Sequence, residues 1–295
     1  MMPTLPKNKK KIAAVLNPPA PHMVGDGFRV HNFFPSGYKL NMSPFYMLDY
    51  NAKIEFAASV ESRGVGVHPH RGFETVTIAY HGAIAHHDSA GNSDTIYPGD
   101  VQWMTAGSGI LHKEYHEKEF SQKGGFFQMV QLWVNLPAKN KMCAPKYQGI
   151  KNDAIAKFLL PNNEGKIEVI AGNYMGTKGS AATFTPIEMY NGYLNKDTVV
   201  NFNFPPNFNT SIVVIEGELV INEAETAKTN QMVYFKNEGE SIELKALSKC
   251  IVLILSGEPI NEPIVSYGPF LMNKPEEIQQ AIDDYNLGKF GFLAD

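Results

Sequence analysis

Glycine and proline recur about every ten residues between residues 18 and 269, so any regular element between them must be short. The intervening runs are rich in Val, Ile, Phe and Thr, which favour the half-buried surface of a β-strand. Examples are residues 75–80, 126–134, 167–171, 211–215 and 251–255. Many short strands with regular turn signals favour a sandwich or small barrel over alternating strands and helices. We therefore predict an all-β fold.

A weak internal repeat predicts two similar halves. "FETVTIAYHGAI" (73–84) resembles "NTSIVVIEGELV" (209–220), and "GDVQWMTA" (99–106) has a fainter echo in "NQMVYFKN" (230–237). A chain of 295 residues also exceeds the usual size of one domain. The polar stretch "PAKNKMCAP" (137–145) suits a linker. We predict two barrels of the same type, over residues 1–138 and 139–295.

One helix is predicted near the end of the chain, in "MNKPEEIQQAIDDYNLGKFG". Asn273 can cap it, Pro275 suits its first turn and Gly288 can end it. Its apolar stripe consists of Ile278, Ala281, Ile282 and Tyr285. The stripe predicts a short helix that packs on a barrel.

Composition excludes a general attraction to polyanions. The formal net charge is −4, and no basic stripe is interleaved with aromatic residues. The one basic cluster, formed by Lys7, Lys9, Lys10 and Lys11, is interpreted as a solvated terminal tail. We expect no direct nucleic-acid partner.

The apolar run at residues 12–16 is too short to span a membrane or to form a secretory signal. The two cysteines, Cys143 and Cys250, form no C-x-x-C motif, and we interpret both as reduced. These features predict a cytoplasmic protein with no membrane partner.

All nine histidines lie at or before residue 116, so imidazole chemistry is confined to the first half. In "HPHRGFET", His68 and His70 are two residues apart and would face the same side of a strand. "GILHKEYHE" repeats this spacing with His112 and Glu114. The turns between the two segments allow the second pair to return beside the first. Together they would present three imidazoles and one carboxylate.

Such a mixed set of nitrogen and oxygen donors suits one mononuclear transition-metal ion: iron, manganese, nickel, cobalt, copper or zinc. Four protein ligands leave two positions free on an octahedral ion, as a catalytic or sensing site requires. The alternative is that these histidines lie at the surface or in the core and satisfy backbone groups.

Other polar residues are weaker candidates. Glu74 shares the parity of His70, so it is a candidate base, alternative ligand or hydrogen-bond partner of a ligand, or else it pairs with a nearby arginine. His86, His87 and Asp88 are interpreted as part of a polar hairpin turn. His116 keeps the parity of His112 but is expected beyond the barrel mouth.

Three segments, "HPHRGFETVT", "GDVQWMTAGSGILHKE" and "QLWVNLPAK", resemble the pirin family of the cupin superfamily. The ending "FLMNKPEEIQQAIDDYNLGKFG" resembles the pirin tail, so the likeness covers nearly the whole chain. It implies a bicupin: two jelly-roll barrels in tandem, of which only the first binds metal. It also implies Fe(II) held by His68, His70, His112 and Glu114, and leaves Glu74 beside the ligands.

The resemblance implies two functions. Several microbial pirins resemble quercetin 2,3-dioxygenases, which insert both atoms of O₂ into a flavonol and release carbon monoxide. Some eukaryotic pirins act with transcription factors, and the oxidation state of the iron is proposed as a switch. We therefore expect a dioxygenase that acts on quercetin or a related aromatic enol with O₂. The alternative is a redox-sensing iron protein that binds a regulatory partner.

Overall fold

The computed structural model describes residues 8–294, which form two compact units. The first unit contains residues 19–40, 44–153 and 260–294, and the second contains residues 8–18, 41–43 and 154–259. The N-terminal segment therefore belongs to the second unit, and the C-terminal segment belongs to the first. The linear boundary at residue 138 stays a prediction. Neither helix in the described part of the chain is long and apolar enough to cross a membrane.

Residues 8–294 form twenty-six short strands, two α-helices and three short 3-10 helices. In the first half of the chain these are β1 (Ile12–Leu16), β2 (His22–Val24), β3 (Phe28–Phe34), β4 (Phe45–Phe56), β5 (Gly64–His70), β6 (Phe73–His81), β7 (Ile84–Asp88), β8 (Ser93–Ile96), β9 (Val101–Thr105), β10 (Ile110–His116), α1 (Lys118–Lys123), β11 (Gly125–Asn135) and β12 (Lys146–Ile150).

The remaining elements are β13 (Ala156–Leu159), β14 (Gly165–Ala171), β15 (Asn173–Tyr174), β16 (Thr177–Lys178), β17 (Ile187–Leu194), β18 (Val199–Asn203), β19 (Asn209–Glu216), β20 (Glu218–Ile221), β21 (Glu225–Lys228), β22 (Met232–Phe235), β23 (Ser241–Ala246), β24 (Cys250–Gly257), β25 (Val265–Tyr267), β26 (Phe270–Met272) and α2 (Pro275–Asn286). The predicted all-β fold is confirmed.

The two units share one strand order. In the first unit a seven-stranded sheet, β12-β9-β6-β11-β4-β3-β2, accompanies a four-stranded sheet, β5-β10-β7-β8. In the second unit the corresponding sheets are β1-β22-β19-β24-β17-β14-β13 and β18-β23-β20-β21. Strands β6 and β19 occupy the same place, and so do β9 and β22, which confirms the internal repeat.

The interiors of the two units differ in polarity. In the second unit, β18 and β23 direct Val200, Phe202, Ile242 and Leu244 into an apolar core. The corresponding strands of the first unit, β5 and β10, carry the histidine motifs. The first interior also contains apolar clusters, one that includes Ala79, Phe127 and Met129 and another that includes Met104 and Ile110.

Helix α2 packs in the first unit, where Ile278 and Ala281 join Phe270, Met272 and Phe290 in an apolar cluster. The helix begins after Lys274 rather than Asn273, so the predicted cap was wrong by one residue. The Glu277 carboxylate accepts hydrogen bonds from the backbone N–H groups of both residues, at 2.9 and 3.1 Å. The Lys274 side chain cannot accept a hydrogen bond, so the Glu277 carboxylate is the side-chain acceptor at the start of the helix.

Strand β1 shows that the N-terminal lysines are not simply a solvated tail. It pairs with β22, and the Lys10 side chain just before it is buried. The Lys10 ammonium donates hydrogen bonds to the carbonyls of Pro206 and Phe208, at 3.2 and 3.3 Å. The tail interpretation was therefore wrong for Lys10, while Lys7 lies outside the described residues.

The predicted linker contains a buried anchor, Lys141, which is 1% exposed. Its ammonium donates hydrogen bonds to the carbonyls of Gly72 and Leu271 and to Oδ1 of Asn135, at 2.7, 2.7 and 2.6 Å. One side chain thus joins the turn between β5 and β6, the end of β11 and strand β26. Each of these acceptors would be left buried without this donor if the ammonium were removed.

We expect Lys141→Met to lower the free energy of unfolding by about 3 kcal/mol, because unsatisfied buried acceptors are costly. The measurement is equilibrium urea unfolding. Lys139→Met is the matched control, since Lys139 lies two residues away and is exposed. Equal stability of the two variants would contradict the anchor role.

Candidate metal centre

Strand β10 is the centre of the candidate site, because it lies between β5 and β7 in the four-stranded sheet. Burial alternates along it, so Ile110, His112, Glu114 and His116 face inward. His112 lies opposite His68 of β5 on one side and opposite Asp88 of β7 on the other. The alternation inferred from "HPH" and "HKE" thus corresponds to real strands.

Three of the four predicted ligands converge. One ring nitrogen from each of His68, His70 and His112 lies within 4.8 Å of the others. The ring centroid of His112 is 4.2 Å from that of His68 and 4.7 Å from that of His70. His70 and His112 are buried, whereas His68 is partly exposed and marks the side that solvent can reach.

Backbone carbonyls orient two of these rings. Nδ1 of His68 lies 2.9 Å from the Gly66 carbonyl, and Nδ1 of His70 lies 3.4 Å from the Pro269 carbonyl. A carbonyl can only accept a hydrogen bond, so each Nδ1 carries the proton and each Nε2 keeps a free lone pair. Metal-binding histidines are commonly oriented in this way.

Burial determines the charge of the two inner rings. Burial and the neighbouring His68 lower the pKa of His70 well below its ordinary value. Burial, followed by the nearby imidazoles of His68, His70 and His86, does the same to the pKa of His112. Both rings are therefore neutral at physiological pH, the form that can bind a cation.

The residues present fit a transition-metal ion. Both ring nitrogens of His112 are buried and have no hydrogen-bond partner in the described structure, a rare state for a buried polar group. Neutral imidazoles beside a carboxylate are donors that borderline divalent ions prefer. A coordinated cation would satisfy a nitrogen that the protein itself leaves unpaired.

The Glu114 carboxylate is firmly held on the inner face. It accepts hydrogen bonds from Gln131 Nε2 at 2.7 Å, Thr77 Oγ1 at 3.3 Å and Gln102 Nε2 at 3.5 Å. Its ligand oxygen groups within 4.8 Å with nitrogens of His112 and His86. The four predicted ligands therefore fall into two groups that share His112, rather than one group of four at this separation.

His86 and Asp88 do not belong to the turn, as the sequence interpretation had them. They lie in β7 and are 0% and 3% exposed. His87 faces the other side and stacks on Tyr115, with ring centroids 5.8 Å apart. The signal that could have placed them was their own spacing of two residues, the same spacing that identified His112 and Glu114.

The structure also places His116 differently from expectation. It is buried inside the first unit rather than beyond the barrel mouth. Its ring stacks on Phe127 and meets the edges of Phe56 and Phe120, while its Nε2 lies 2.9 Å from the Gly27 carbonyl. His116 is thus part of the aromatic packing, away from the convergent rings.

Glu74 is not brought to the site. Thr77, whose hydroxyl donates to Glu114, lies three residues along β6 and so faces the opposite side from Glu74. The carboxylate of Glu74 instead accepts from the Thr105 hydroxyl at 2.7 Å. Burial raises its pKa to about 7, against the lowering effect of that hydrogen bond. The shared parity with His70 failed because Gly72, at φ 91°, interrupts the alternation between β5 and β6.

The C-terminal segment surrounds the end of β5. Arg71, next to His70, forms a buried ion pair with Asp284 of α2 at 2.8 Å. Its guanidinium lies 4.7 Å from the ring centroid of Phe290, and its Nε donates to the Ser108 carbonyl. The residue that follows a predicted ligand is therefore held by helix α2 and the tail.

Comparison with known proteins agrees with this architecture. The Pirin family model matches residues 27–134, and the Pirin C-terminal cupin domain matches residues 189–291. A solved quercetin 2,3-dioxygenase from Acinetobacter baumannii is 45% identical, with a TM-score of 0.91, over 97% of this chain and 99% of that one.

Two curated relatives extend the comparison. A Pseudomonas aeruginosa protein, provisionally named a quercetin 2,3-dioxygenase, is 43% identical over 95% of this chain and 98% of its own length. Human pirin is 35% identical over 91% of this chain and 90% of its own length. The chain is therefore a bicupin and belongs to the pirin family.

Proposed function

We propose that this protein is a metal-dependent dioxygenase that acts on quercetin or a related aromatic enol with O₂. We expect the ion to be Fe(II). It would be held by His68, His70, His112 and Glu114. The observation that carries the proposal is the convergence of three imidazoles within 4.8 Å, two of them oriented by backbone carbonyls. The likeness to a solved quercetin 2,3-dioxygenase supports the substrate class. The cytoplasmic location stays a prediction.

An ion bound here would supply Lewis-acid polarisation of an enol oxygen and electron exchange with O₂. The chain's own residues fix the donor atoms before the ion arrives. The Gly66 and Pro269 carbonyls hold the proton of each neutral ring on Nδ1 and so leave Nε2 of His68 and His70 as the donor atom. Gln131, Thr77 and Gln102 hold the Glu114 carboxylate. Such preorganisation limits the reorganisation that ion binding requires.

Aromatic packing fixes the His70 ring. Phe73 and Trp133 stack with centroids 4.1 Å apart, and both meet His70, at 5.0 and 5.3 Å. This packing restricts rotation of the ring and excludes water from its inner side. The more exposed His68 leaves the opposite side as the route for a substrate.

The hydrogen bond from Gln131 should contribute to metal affinity through Glu114. We expect Gln131→Ala to weaken Fe(II) binding about 10-fold, because partners that orient a ligand commonly have effects of this size. Anaerobic calorimetric titration measures it. Gln122→Ala, at an exposed position of α1, is the control. An unchanged affinity in Gln131→Ala would show that this hydrogen bond does not act on the ion.

Loss of His112 should abolish both iron binding and turnover, because it is the imidazole common to both donor groups. The measurement is oxygen uptake with quercetin by Fe(II)-loaded protein, metal-free protein and Fe(II)-treated His112→Ala. His22→Ala, at an exposed position of β2, should behave as wild type.

Two outcomes would change the proposal. Uptake by metal-free His112→Ala would remove the metal-dependent mechanism. No uptake by wild type with confirmed iron content would remove quercetin as the substrate. The redox-sensing alternative would then be tested by whether a regulatory partner binds the Fe(II) and Fe(III) forms with different affinity.

A further inference from the structure

A line of polar side chains, here called the inner polar row, crosses the seven-stranded sheet of the first unit. Its members are directly opposed residues on the adjacent strands β3, β4, β11, β6 and β9, in that order Asn32, Asp49, Gln131, Thr77 and Gln102. Directly opposed residues of an antiparallel pair share one face of the sheet. The last three members donate hydrogen bonds to the Glu114 carboxylate. The whole row therefore faces the candidate metal centre.

Asp49 is the one carboxylate of the inner polar row, and it lies next to Gln131. The Cβ atoms of such opposed residues are about 5 Å apart. Gln131 in turn reaches Glu114 with a hydrogen bond of 2.7 Å. A single side chain of the row thus separates Asp49 from a proposed metal ligand.

Asn32 orients the Asp49 carboxylate. Nδ2 of Asn32 donates a hydrogen bond to Oδ1 of Asp49 at 2.7 Å, and Oδ1 of Asn32 accepts one from the Ser36 backbone N–H at 2.8 Å. The second bond fixes which end of the amide faces Asp49. Among residues 8–294, Oδ2 of Asp49 has no hydrogen-bond partner. This oxygen is the one that can accept a proton from a bound molecule.

The surroundings of Asp49 suit a proton acceptor. Asp49 is 6% exposed, and the neighbouring Gln131 is partly exposed although its side chain points to the inner face. Solvent therefore reaches the inner face beside Asp49. Burial raises the pKa of Asp49 above its ordinary value, against the lowering effect of the hydrogen bond from Asn32. A carboxylate with a raised pKa holds a transferred proton more readily than an exposed one.

We propose that Asp49 is the general base that removes the hydroxyl proton of the enol substrate. The inference rests on the proposed dioxygenase function and gives Asp49 the role for which the sequence suggested Glu74, which faces the other side of β6. The O–H bond of the enol breaks, its electron pair stays on the oxygen, and the proton moves to Oδ2 of Asp49. Asp49 gives the proton up again when the product leaves.

The test uses Asp49→Asn, which keeps an oxygen acceptor for Asn32 but removes the base. Wild type, Asp49→Asn and Asp153→Asn, each loaded with Fe(II), are compared in oxygen uptake with quercetin and in anaerobic binding of quercetin. Asp153→Asn is the matched control, since Asp153 is exposed. We expect Asp49→Asn to lower kcat at least about 100-fold and to bind Fe(II) as wild type does. Quercetin should absorb as the enolate when bound to wild type and to the control, and as the neutral enol when bound to Asp49→Asn.

A wild-type kcat in Asp49→Asn would overturn the proposal. So would a lower kcat with bound quercetin still in its enolate form, or with weakened Fe(II) binding, because neither result is a loss of proton transfer alone. No oxygen uptake by Fe(II)-loaded wild type would instead overturn the proposed function itself, so the two failures are distinguishable.

A second measurement covers the case in which Asp49→Asn does not fold. Fe(II)-loaded wild type is titrated with quercetin without oxygen, by calorimetry in buffers of different ionisation enthalpy, at a pH where free quercetin is neutral. The dependence on buffer counts the protons released for each molecule bound. Enolate formation without proton release would support transfer to Asp49, and release of one proton would overturn it.

Discussion

The site depends on the hydrogen-bonded register of β10 with its two neighbours. This strand pairs with β5 through His112 and His68, and with β7 through Glu114 and His86. A shift of either pairing by one residue would turn every inward side chain of the shifted strand to the other face. The convergence of the imidazoles is therefore a property of the backbone ladder, and each side chain needs only local orientation by its own hydrogen bonds.

The two units have the same strand order but different interiors. The fold alone therefore does not determine whether a unit carries a cluster of candidate metal ligands. In the second unit, Ile212 and Val214 of β19 and Ile242 of β23 fill the space between the sheets with apolar atoms. In the first unit, Thr77 of β6 donates to Glu114, and His112 lies on β10. The second unit has apolar residues on strands whose equivalents in the first unit carry polar residues. The first unit therefore has candidate metal ligands where the second has a packed core.

The sequence predicted features that depend on a single strand. It did not predict the positions of side chains that depend on how neighbouring strands pair. The spacing of His112 and Glu114 predicted their common face, and the repeat predicted two units. Both signals can be recognised in the sequence without knowing how the strands pair. Glu74 was misplaced because the turn at Gly72 breaks the alternation. His86 was missed because a buried strand and an exposed hairpin share the same polar composition. The packing of α2 against the unit that carries β5 depends on contacts about two hundred residues apart in sequence, such as Arg71 with Asp284, which no local pattern encodes.

The buried histidines have an energetic consequence for the first unit. Neutral His112 leaves both ring nitrogens unpaired, and His86 leaves one. Each such group loses its hydrogen bonds to water on folding without replacing them, so it opposes folding. Coordination of an ion in the proposed site would satisfy one nitrogen of His112 and would occur only in the folded state, in which β5 and β10 bring the proposed donors together. Ion binding and folding of this unit are then coupled, because a ligand that binds only the native state stabilises it by mass action. An unpaired nitrogen that weakens the metal-free protein would then contribute to the affinity of the proposed site for an ion.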